Sequence, residues 1–309
     1  MIICCGEALI DMLPRQSAEG DNVFLPCSGG AVFNTAIALG RLGNEVEFLS
    51  GISNDFFGAQ LLNTLADSHV GQRYVVKSDQ PTTLAFVTLN NGQAQYAFYD
   101  ENTAGRLLSE ARLPAFDDAS EVNALYFGAI SLIPEPCGSA YEALMQREHT
   151  RCVTMLDPNI RQNFITDQAA HKARLTRMIG MADIVKFSDE DLLWFGRGDD
   201  HDAAASFLDE GPSVILLTRG GEGATAITRS GSVTVTAPSV TVADTVGAGD
   251  TFNAGFLAAL DDAGLLDKQS VSTLSDEALR DALTLGVRVA AVTVSRPGAN
   301  PPRRDELSE

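Results

Sequence analysis

Short apolar segments alternate with amphipathic segments along most of the chain. Residues 2–8 are apolar on both faces, which is typical of a strand covered on both sides of a parallel sheet. Residues 30–42 follow with small and apolar side chains at helical spacing. By the same criteria we predict strands at 46–50, 124–127, 152–157, 183–187 and 214–218, and helices at 55–68, 139–149, 168–180 and 189–195. This alternation predicts an α/β fold built on an open, mostly parallel, doubly wound sheet.

Two stretches, residues 12–28 and 73–99, break this alternation. In the second, residues 82–89 and 93–99 alternate between apolar and polar positions on either side of Asn-Asn-Gly, which predicts a β-hairpin. Strands inserted early in an α/β domain suggest a small β-sheet projecting from a single domain that covers residues 1–309. Such a sheet would form a lid over a binding site and exclude water from it. An edge hairpin with no moving role is the alternative.

The composition limits the classes of function. With 309 residues, 45% of them apolar, the chain can bury a full core as one large domain. A formal net charge of −19 argues against nucleic acid and anionic membranes as partners, since both favour a basic face. Only four of the 22 basic residues are lysines, so phosphate recognition is expected to depend on arginines, backbone amides or a metal.

The cysteines and the N-terminal segment predict a cytoplasmic location. The five cysteines are scattered and form no C-x-x-C pair, which favours reduced thiols over disulfides or a metal site. The N-terminal segment has no basic region, and Glu7 and Asp11 interrupt its apolar run, so it is unlike a signal peptide. No apolar stretch approaches the length that spans a membrane.

The segment 247–250 (GAGD) carries the clearest chemical signal. Gly247, Ala248 and Gly249 leave backbone amides unshielded, and residues 252–260 have the composition of a helix. A small-residue turn that opens a helix binds anions, because the amides and the helix dipole face the ligand. Asp250 would repel bound phosphate unless it is the base for an attacking hydroxyl, as phosphoryl transfer to an alcohol requires. An ordinary capped helix is the alternative.

Two common nucleotide-binding motifs do not occur in the sequence. No G-x-x-x-x-G-K-[ST] is present, which excludes a P-loop protein. The glycine-rich segment is not G-x-G-x-x-G, because Phe252 occupies the place of the third glycine. It also lies late in the chain, away from the first βα turn where a dinucleotide fingerprint belongs. A nucleotide-binding oxidoreductase is therefore disfavoured.

Polar residues follow the first predicted strand and open the first predicted helix. Asp11 comes after the strand, and Gly29 and Gly30 lead into the helix that contains Asn34. A carboxylate paired with an amide suits the recognition of sugar hydroxyls. A turn aspartate and a structural asparagine at a helix N-terminus would explain the same residues.

Two later strands also end in polar or glycine-rich turns. Residues 157–161 (DPNIR) place Arg161 after one strand, and residues 218–223 (TRGGEG) follow another. Arg161 would steady a substrate oxygen or phosphate, or form a surface ion pair; the bare amides of the glycine turn would cradle nucleotide phosphates, or form a plain hairpin. Because the carboxyl ends of parallel strands share one edge of a sheet, these clusters are expected to meet there.

These motifs resemble the ribokinase-like (PfkB) carbohydrate kinase family over essentially the whole chain. The C-terminal signature of the family is similar to residues 244–256, and its N-terminal signature is similar to residues 29–43. The order of acid, double glycine, Asp-Pro-Asn, Thr-x-Gly and GAGD also agrees. The resemblance implies an ATP-dependent sugar kinase in which Asp250 is the catalytic base and Gly247, Ala248 and Gly249 supply the anion hole. A low pKa would suit this base, because the proton leaves late in a loose transition state.

The resemblance also implies the remaining site residues. The sugar would be held by Asp11, Gly29, Gly30, Asn34, Tyr99 and Arg161, and ATP would lie along Ser188, Thr218, Gly220, Gly223 and Gly249. A monovalent cation, K⁺, would be bound beside the anion hole, largely by backbone carbonyls, at Asp244, Val246, Thr293, Arg296 and Gly298. The family's Asn-x-x-Glu, which supports Mg²⁺ through water, is replaced by residues 188–191 (SDED). Mg²⁺ dependence is still expected, with either Glu190 or Asp191 in that role.

Within the family, the DPNIR segment and the Phe98-Tyr99 pair look most like fructokinases and 2-keto-3-deoxygluconate kinases. The latter typically present an arginine after the lid tyrosine, where this chain has Asp100, so D-fructose is the favoured acceptor. 2-Keto-3-deoxygluconate, ribose and nucleosides remain alternatives, as does a non-catalytic sugar-binding regulator. The family often dimerises through lid strands, and the apolar strand at 82–89 would otherwise expose an edge, so a homodimer is expected.

Overall fold

Eight strands form one central sheet in the computed structural model, which describes residues 1–90, 93–116 and 122–307. The strands are β1 (Ile2–Cys5), β2 (Leu9–Gln16), β3 (Asn22–Gly29), β4 (Val46–Leu49), β5 (Gly51–Ser53), β6 (Val76–Ser78), β7 (Leu84–Asn90), β8 (Gln93–Tyr99), β9 (Ala124–Gly128), β10 (Val153–Asp157), β11 (Ile184–Ser188), β12 (Val214–Thr218), β13 (Ala224–Thr228) and β14 (Gly231–Val235). The central sheet has the order β14-β13-β12-β11-β10-β9-β1-β4. Its strands are parallel from β12 to β4, and β13 and β14 are antiparallel.

Helices cover both faces of this sheet. They are α1 (Ala31–Arg41), α2 (Phe56–Asp67), α3 (Cys137–Glu148), α4 (Gln168–Ile179), α5 (Asp189–Phe195), α6 (His201–Ala205), α7 (Ala248–Asp262), α8 (Lys268–Val271) and α9 (Asp276–Val294). Ile2 and Cys4 pack into the core formed with α1, α7 and α9, whereas Ile3 and Cys5 pack into the core formed with α3 and α4. Alternate side chains of β1 therefore enter opposite cores. The predicted doubly wound α/β fold is confirmed.

A separate four-stranded sheet has the order β3-β2-β7-β8. We call it the small sheet. One row across it joins Cys27, Asp11, Ala85 and Phe98 by register, so these residues share one face. Its strands begin at Leu9 rather than at 12, because the chain turns directly from β1 into β2. The predicted hairpin turn includes residues 91–92, which lie outside the described residues.

Three expectations drawn from the sequence pattern were wrong. β6 pairs with β5 in a third, two-stranded sheet, so residues 73–78 do not belong to the small sheet. β7 lies between β2 and β8, so it has no free edge; the edges of the small sheet are β3 and β8. The helix predicted at 252–260 begins at Ala248, because Gly247, with φ of 80°, acts as the N-cap and the small residues after it continue helically.

The C-terminal part of the chain contains elements that the sequence pattern did not predict. The antiparallel strands β13 and β14 extend the sheet edge, and the 19-residue helix α9 packs along α7. Gly255 allows this approach, because a Cβ there would lie 2.8 Å from the Cα of Gly286 in α9. Among the described residues, no helix combines the length and apolarity needed to cross a membrane.

Candidate active site

A cavity of about 870 Å³ opens at the carboxyl ends of the parallel strands, where residues of both larger sheets and α7 line it. This is the edge at which ligands bind in open α/β sheets. The structure brings most of the predicted site residues to its walls: Asp11, Gly30, Asn34, Arg161, Ser188, Glu190, Thr218, Gly220, Gly223, Val246, Gly247, Ala248, Gly249 and Asp250. Gly29, Tyr99, Asp191, Asp244, Thr293, Arg296 and Gly298 are not among the residues that line it.

Asp250 occupies the first turn of α7 and is almost completely buried. Its Oδ2 accepts a 2.9 Å hydrogen bond from the side-chain amide of Asn34, and its Oδ1 accepts a 3.4 Å bond from the amide of Asn159. Its backbone carbonyl accepts a 3.0 Å bond from the hydroxyl of Thr35. The carboxylate is thus oriented by neutral amides from two different elements and faces the cavity.

The pKa values of two carboxyls that line the cavity, Asp250 and Asp11, are raised. Burial raises the pKa of Asp250 to about 6, against the opposing effect of the Asn34 hydrogen bond and of Arg161 and Lys186. Burial, followed by the charge of Asp250, raises the pKa of Asp11 to about 6. The expectation of a low pKa for Asp250 was therefore wrong for the protein without bound substrates, because the desolvation of the carboxylate outweighs its hydrogen bonds.

The N-terminus of α7 presents positive potential to the same space. No side chain caps this helix, whose N-cap is Gly247. The first amides of a helix lack intrahelical partners, so those of Gly249 and Asp250 are suited to an anion. The ammonium of Lys186 adds a charge here: a Cβ on Gly249 would lie 3.1 Å from its Nζ. Phosphate recognition was expected without lysine, whereas the structure brings the ammonium of Lys186 close to these amides.

A buried polar network lies behind Asp250. Asp157, at the end of β10, is fully buried and pairs with Lys186 Nζ at 3.3 Å. Its Oδ2 also accepts a 2.7 Å bond from Asn253 of α7, and its Oδ1 accepts a 3.1 Å bond from the backbone amide of Asn159. Burial disfavours the charge on Lys186, but Asp157 and Asp191 raise its pKa above its ordinary value. Lys186 is therefore a cation held beside the N-terminus of α7.

The small sheet supplies one wall of the cavity. Asp11 and Phe98 belong to the row defined above, and both line the cavity. Phe98 packs edge-to-face on Phe164, with 4.2 Å between ring centroids. Gly29 does not reach the cavity but makes room for the acid, since a Cβ on it would lie 2.2 Å from Asp11 Oδ2.

Tyr99 does not lie where the resemblance placed it. Its side chain is 63% exposed and packs against Phe86, which in turn contacts Phe24, at centroid distances of 5.4 and 5.1 Å. Successive residues of a strand point to opposite faces, so Tyr99 faces away while Phe98 faces the cavity. Of these two neighbours, it is Phe98 that lines the cavity.

The other end of the cavity combines glycine amides with an apolar wall. Thr218 ends β12; Gly220 is the first residue of the short 3₁₀ turn Gly220–Glu222, and Gly223 follows that turn and leads to β13. The apolar wall comes from the segment before α7 and from α9, namely Val240, Val242, Val287, Ala290, Ala291 and Val294. These residues, which the sequence pattern did not single out, form a slot suited to a flat apolar ring.

Two acidic residues near Ser188 differ in their surroundings. Asp191 is buried: its Oδ2 accepts from the amide and hydroxyl of Ser188 at 2.8 and 2.7 Å, and its Oδ1 accepts from the Ile160 amide at 2.8 Å. Glu190 lines the cavity. Within the described ranges, no group of three or more His, Cys, Asp or Glu residues is arranged to hold a metal ion.

The carboxylate of Asp244 joins the two segments that contain the predicted cation ligands. Its Oδ1 accepts a 3.0 Å bond from the Val246 amide, and its Oδ2 accepts a 3.0 Å bond from the Gly298 amide. Thr293 is fully buried with its hydroxyl donating to Val289, and the Arg296 guanidinium pairs with Glu306. Thr293 and Arg296 would thus contribute backbone carbonyls rather than side chains.

Comparison with known proteins assigns this geometry to a family. The model of the pfkB family carbohydrate kinases matches residues 1–306. The chain belongs to this family. It is 55% identical over 282 residues to a fructokinase of Rhizobium leguminosarum bv. trifolii, an alignment that covers 91% of this chain and 86% of that protein.

Solved structures of pfkB-type kinases share the whole fold. A fructokinase from Xylella fastidiosa with bound ATP superposes with a TM-score of 0.88 at 27% identity, covering 99% of this chain and 97% of that one. An aminoimidazole riboside kinase from Salmonella enterica, complexed with its riboside and an ATP analog, gives 0.85 at 25% identity, covering 99% of this chain and 98% of that one. The resemblance inferred from the sequence motifs is thereby confirmed.

The sequence motifs left several residues of this pfkB family site unassigned. Lys186 and Asn253 lie between apolar neighbours in β11 and α7, and nothing local in the sequence signals their burial next to Asp157. Glu7 was considered only as an interruption of an apolar run, yet it lines the cavity. Asn159 was visible in the DPNIR segment, but its contact with Asp250 depends on a left-handed backbone with φ of 42°.

Proposed function

We propose that the chain transfers the γ-phosphoryl group of ATP to a primary hydroxyl of a sugar, with D-fructose as the acceptor. The observation that carries the proposal is the placement of Asp250: a buried carboxylate, oriented by two amides, beside the uncapped N-terminus of α7. A base next to an anion site is the pairing that phosphoryl transfer to an alcohol requires. The fructokinase from Rhizobium leguminosarum bv. trifolii, at 55% identity, supports the choice of acceptor.

In the proposed reaction, Asp250 accepts the proton of the sugar hydroxyl. The sugar oxygen forms a bond to the γ-phosphorus as the bond from that phosphorus to the β,γ-bridging oxygen breaks, and ADP leaves. Asn34 and Asn159 hold the carboxylate in place through 2.9 and 3.4 Å bonds without neutralising it. Because the pKa of Asp250 is about 6, it is mostly ionised at neutral pH and able to take the proton.

The phosphates of ATP would lie between the glycine turn after β12 and the start of α7. The amides of Gly249 and Asp250, together with the ammonium of Lys186, are placed to stabilise the charge on the transferring group. The apolar slot formed with α9 suits the adenine ring. Ser188 and Thr218, which end neighbouring strands, lie between these two regions.

Two cations complete the proposal. When bound with ATP, Mg²⁺ would neutralise phosphate charge, and Glu190 is the residue placed to hold its water, because both oxygens of Asp191 are engaged in the protein. K⁺ fits the oxygen-rich turn organised by Asp244, with carbonyls from Val246, Thr293, Arg296 and Gly298. Replacing K⁺ by choline is expected to lower turnover, and equal turnover in both salts would contradict the K⁺ site.

The sugar end of the cavity favours a neutral acceptor. Asp11, Glu7 and Asp250 all line it, and Arg161 is the cationic side chain on that side. A sugar acid would meet these carboxylates, whereas fructose would meet hydrogen-bond acceptors for its hydroxyls. A riboside is the second candidate, because the Phe98–Phe164 pair offers a surface for stacking and the riboside kinase of Salmonella enterica shares the fold.

We further propose a cytoplasmic homodimer that associates through the small sheet. Phe24 and Tyr99 are 44% and 63% exposed and join Phe86 in an aromatic row on the face opposite Asp11. An exposed apolar patch next to the edge strand β3 is typical of an association surface. Light scattering should give twice the mass of one chain for the wild type and one chain's mass for Phe24→Asp. A monomeric wild type would contradict the dimer.

The deciding experiment measures ADP production with ATP, Mg²⁺ and K⁺ on four acceptors: D-fructose, D-ribose, 2-keto-3-deoxygluconate and adenosine. Saturable turnover on fructose, lost in Asp250→Asn, would support the proposal. Turnover on adenosine or ribose alone would replace fructose by that acceptor and keep the kinase. Binding of ATP without turnover on any of the four would favour a non-catalytic sugar-binding regulator.

A further inference from the structure

The N-terminus of α1 is capped by a residue from another element. Its N-cap is Gly30, which offers no side chain, and its first turn contains no acidic residue. The carboxylate of Glu7 takes this place: its Oε1 accepts from the amides of Ala31 and Val32 at 2.7 and 3.3 Å. Glu7 follows β1, so the cap connects the strand edge to a helix that begins 24 residues later.

The second oxygen of Glu7 reaches a different segment. Its Oε2 accepts a 3.3 Å bond from the amide of Ser131, in the 3₁₀ turn Ala129–Leu132 that follows β9. Ala129 and Ile130 of this turn line the cavity, as do Gly30 and Ala31 at the start of α1. The carboxylate of Glu7 therefore holds two parts of the cavity wall: the start of α1 and the turn 129–132 after β9.

The helix held by Glu7 is the one that orients the base. One turn after the cap, Asn34 donates to Asp250 Oδ2, and Thr35 donates to the Asp250 carbonyl. A helix moves as a unit over one turn, so a displacement of its first amides is transmitted to Asn34. The position of Glu7 therefore affects the wall at the sugar end of the cavity directly, and it affects the orientation of Asp250 through Asn34.

A carboxylate is a costly choice for this task. Glu7 is only 9% exposed, and burial raises its pKa to about 7, with the charge of Asp250 acting in the same direction. A serine or aspartate at position 30 could not replace this cap without strain, because Gly30 has φ of 110° and a Cβ there would lie 2.9 Å from the carbonyl oxygen of Glu7. Glu7 caps the helix from another element and also bonds to Ser131, which ties the helix to the turn after β9.

We propose that Glu7 is a positioning residue for the acceptor: by bridging the first turn of α1 and the turn 129–132, it sets the width of the sugar end of the cavity. This inference rests on the proposed sugar-kinase function. It assigns Glu7 no contact with ATP, whose proposed binding region is formed by the β12–β13 turn, α7 and α9. The expected signature is a change in the apparent affinity for the sugar with little change for the nucleotide.

The test compares Glu7→Gln and Glu7→Ala with the wild type in the full-length protein. The glutamine can keep the bonds to α1 through its amide oxygen, but its NH₂ group would face the Ser131 amide, donor against donor. We expect the fructose KM to rise about fivefold in Glu7→Gln, the size associated with losing one hydrogen bond, and further in Glu7→Ala, which also loses the cap of α1. The ATP KM should stay within about twofold, since uniform loss of sugar binding leaves the nucleotide site intact.

Glu148→Gln is the matched control, because Glu148 is also a buried carboxylate but pairs with Arg147 and Arg151 away from the cavity. It should change thermal stability without moving either KM. Parallel changes of both KM values in the Glu7 variants, or no change in either, would overturn the positioning role. So would a rise in the fructose KM of the same size in Glu148→Gln.

Hydrogen exchange keeps this inference separable from the proposed function. If the wild type phosphorylates none of the acceptors, the sugar-kinase proposal fails, and exchange is then followed in the protein alone. The bridge would be supported if the backbone amides of residues 129–132 exchange faster in Glu7→Gln than in the wild type. The amides of residues 31–35 should exchange at close to the wild-type rate. Unchanged exchange in both segments of Glu7→Ala would overturn it.

Discussion

The side-chain amide of Asn34 donates a 2.9 Å hydrogen bond to Oδ2 of Asp250, joining residues 216 positions apart in the chain. The bond links α1 to α7 at the cavity. An amide holds the carboxylate without cancelling its charge, whereas a salt bridge would stabilise the ionised form and weaken it as a base. The buried cation nearby, Lys186, is instead paired with Asp157.

Replacing Asp250 by asparagine should remove the base and leave the shape of the site. We expect turnover on fructose to fall by roughly 10²–10⁴-fold, the range for loss of a general base, with the ATP KM little changed. Steady-state kinetics with a coupled ADP assay measures both. Asp261→Asn, on the same helix but bonded to Asn44, is the control and should retain wild-type turnover. Near-normal turnover of a folded Asp250→Asn protein would exclude Asp250 as the base.

The activity should depend on pH through the raised pKa of Asp250. Since protonation removes the base, kcat/KM for fructose is expected to fall on the acidic side with an apparent pKa near 6. Asp11 titrates in the same range, so the limb reports both carboxyls together. A pH–rate profile measures it. A limb that stays below about pH 5 would indicate that a group other than Asp250 is the base.

The same burial predicts that Asp250 destabilises the fold at neutral pH. Its folded-state pKa is raised to about 6 from 3.8, so its contribution to stability is lost as pH rises through that value. We expect Asp250→Asn to be more stable than the wild type by roughly 1–3 kcal/mol near pH 7.5, and by less near pH 5, where the wild-type carboxyl takes up its proton. Urea unfolding at both pH values measures the difference. A pH-independent difference would contradict the assignment.

Loss of the lysine behind the anion hole should affect both stability and nucleotide binding. Lys186→Met leaves Asp157 buried without its cation, which is expected to cost about 3–5 kcal/mol and to raise the ATP KM. The double variant with Asp157→Asn removes the orphaned charge and should recover part of the stability but not the ATP KM. Additive losses in the two variants would show that Lys186 and Asp157 are not coupled.

Phe98 and Tyr99 offer a test of which face of β8 meets the sugar. Phe98→Ala is expected to raise the fructose KM about fivefold, the equivalent of one aromatic contact of about 1 kcal/mol. Tyr99→Ala should leave the fructose KM unchanged, because its ring lies on the opposite face with Phe86. Kinetics of the two variants under identical conditions decides the point. The reverse pattern would place Tyr99 at the sugar.

The sequence pattern predicted the six parallel strands of the central sheet, because they are largely apolar on both faces, but it missed the antiparallel strands β13 and β14. It placed the start of α7 four residues late, since Gly-Ala-Gly has little helical propensity and only tertiary packing fixes the turn at Gly247. The choice between Phe98 and Tyr99 depends on register, and a shift of one residue reverses the faces. Lys186 could not be found locally, since its partner Asp157 belongs to the neighbouring strand.

The contact between Asn34 and Asp250 also bears on how the protein is made. The cavity residues Asp11 and Asn34 leave the ribosome early, whereas Asp250 and the helix α9 that packs along α7 come near the end of the chain. A nascent chain that stops before α7 would carry Asp11 and Asn34 but not Asp250 or the N-terminus of α7. It would also lack the part of the core that α7 and α9 form around Ile2 and Cys4, so the complete cavity forms only when synthesis is almost finished.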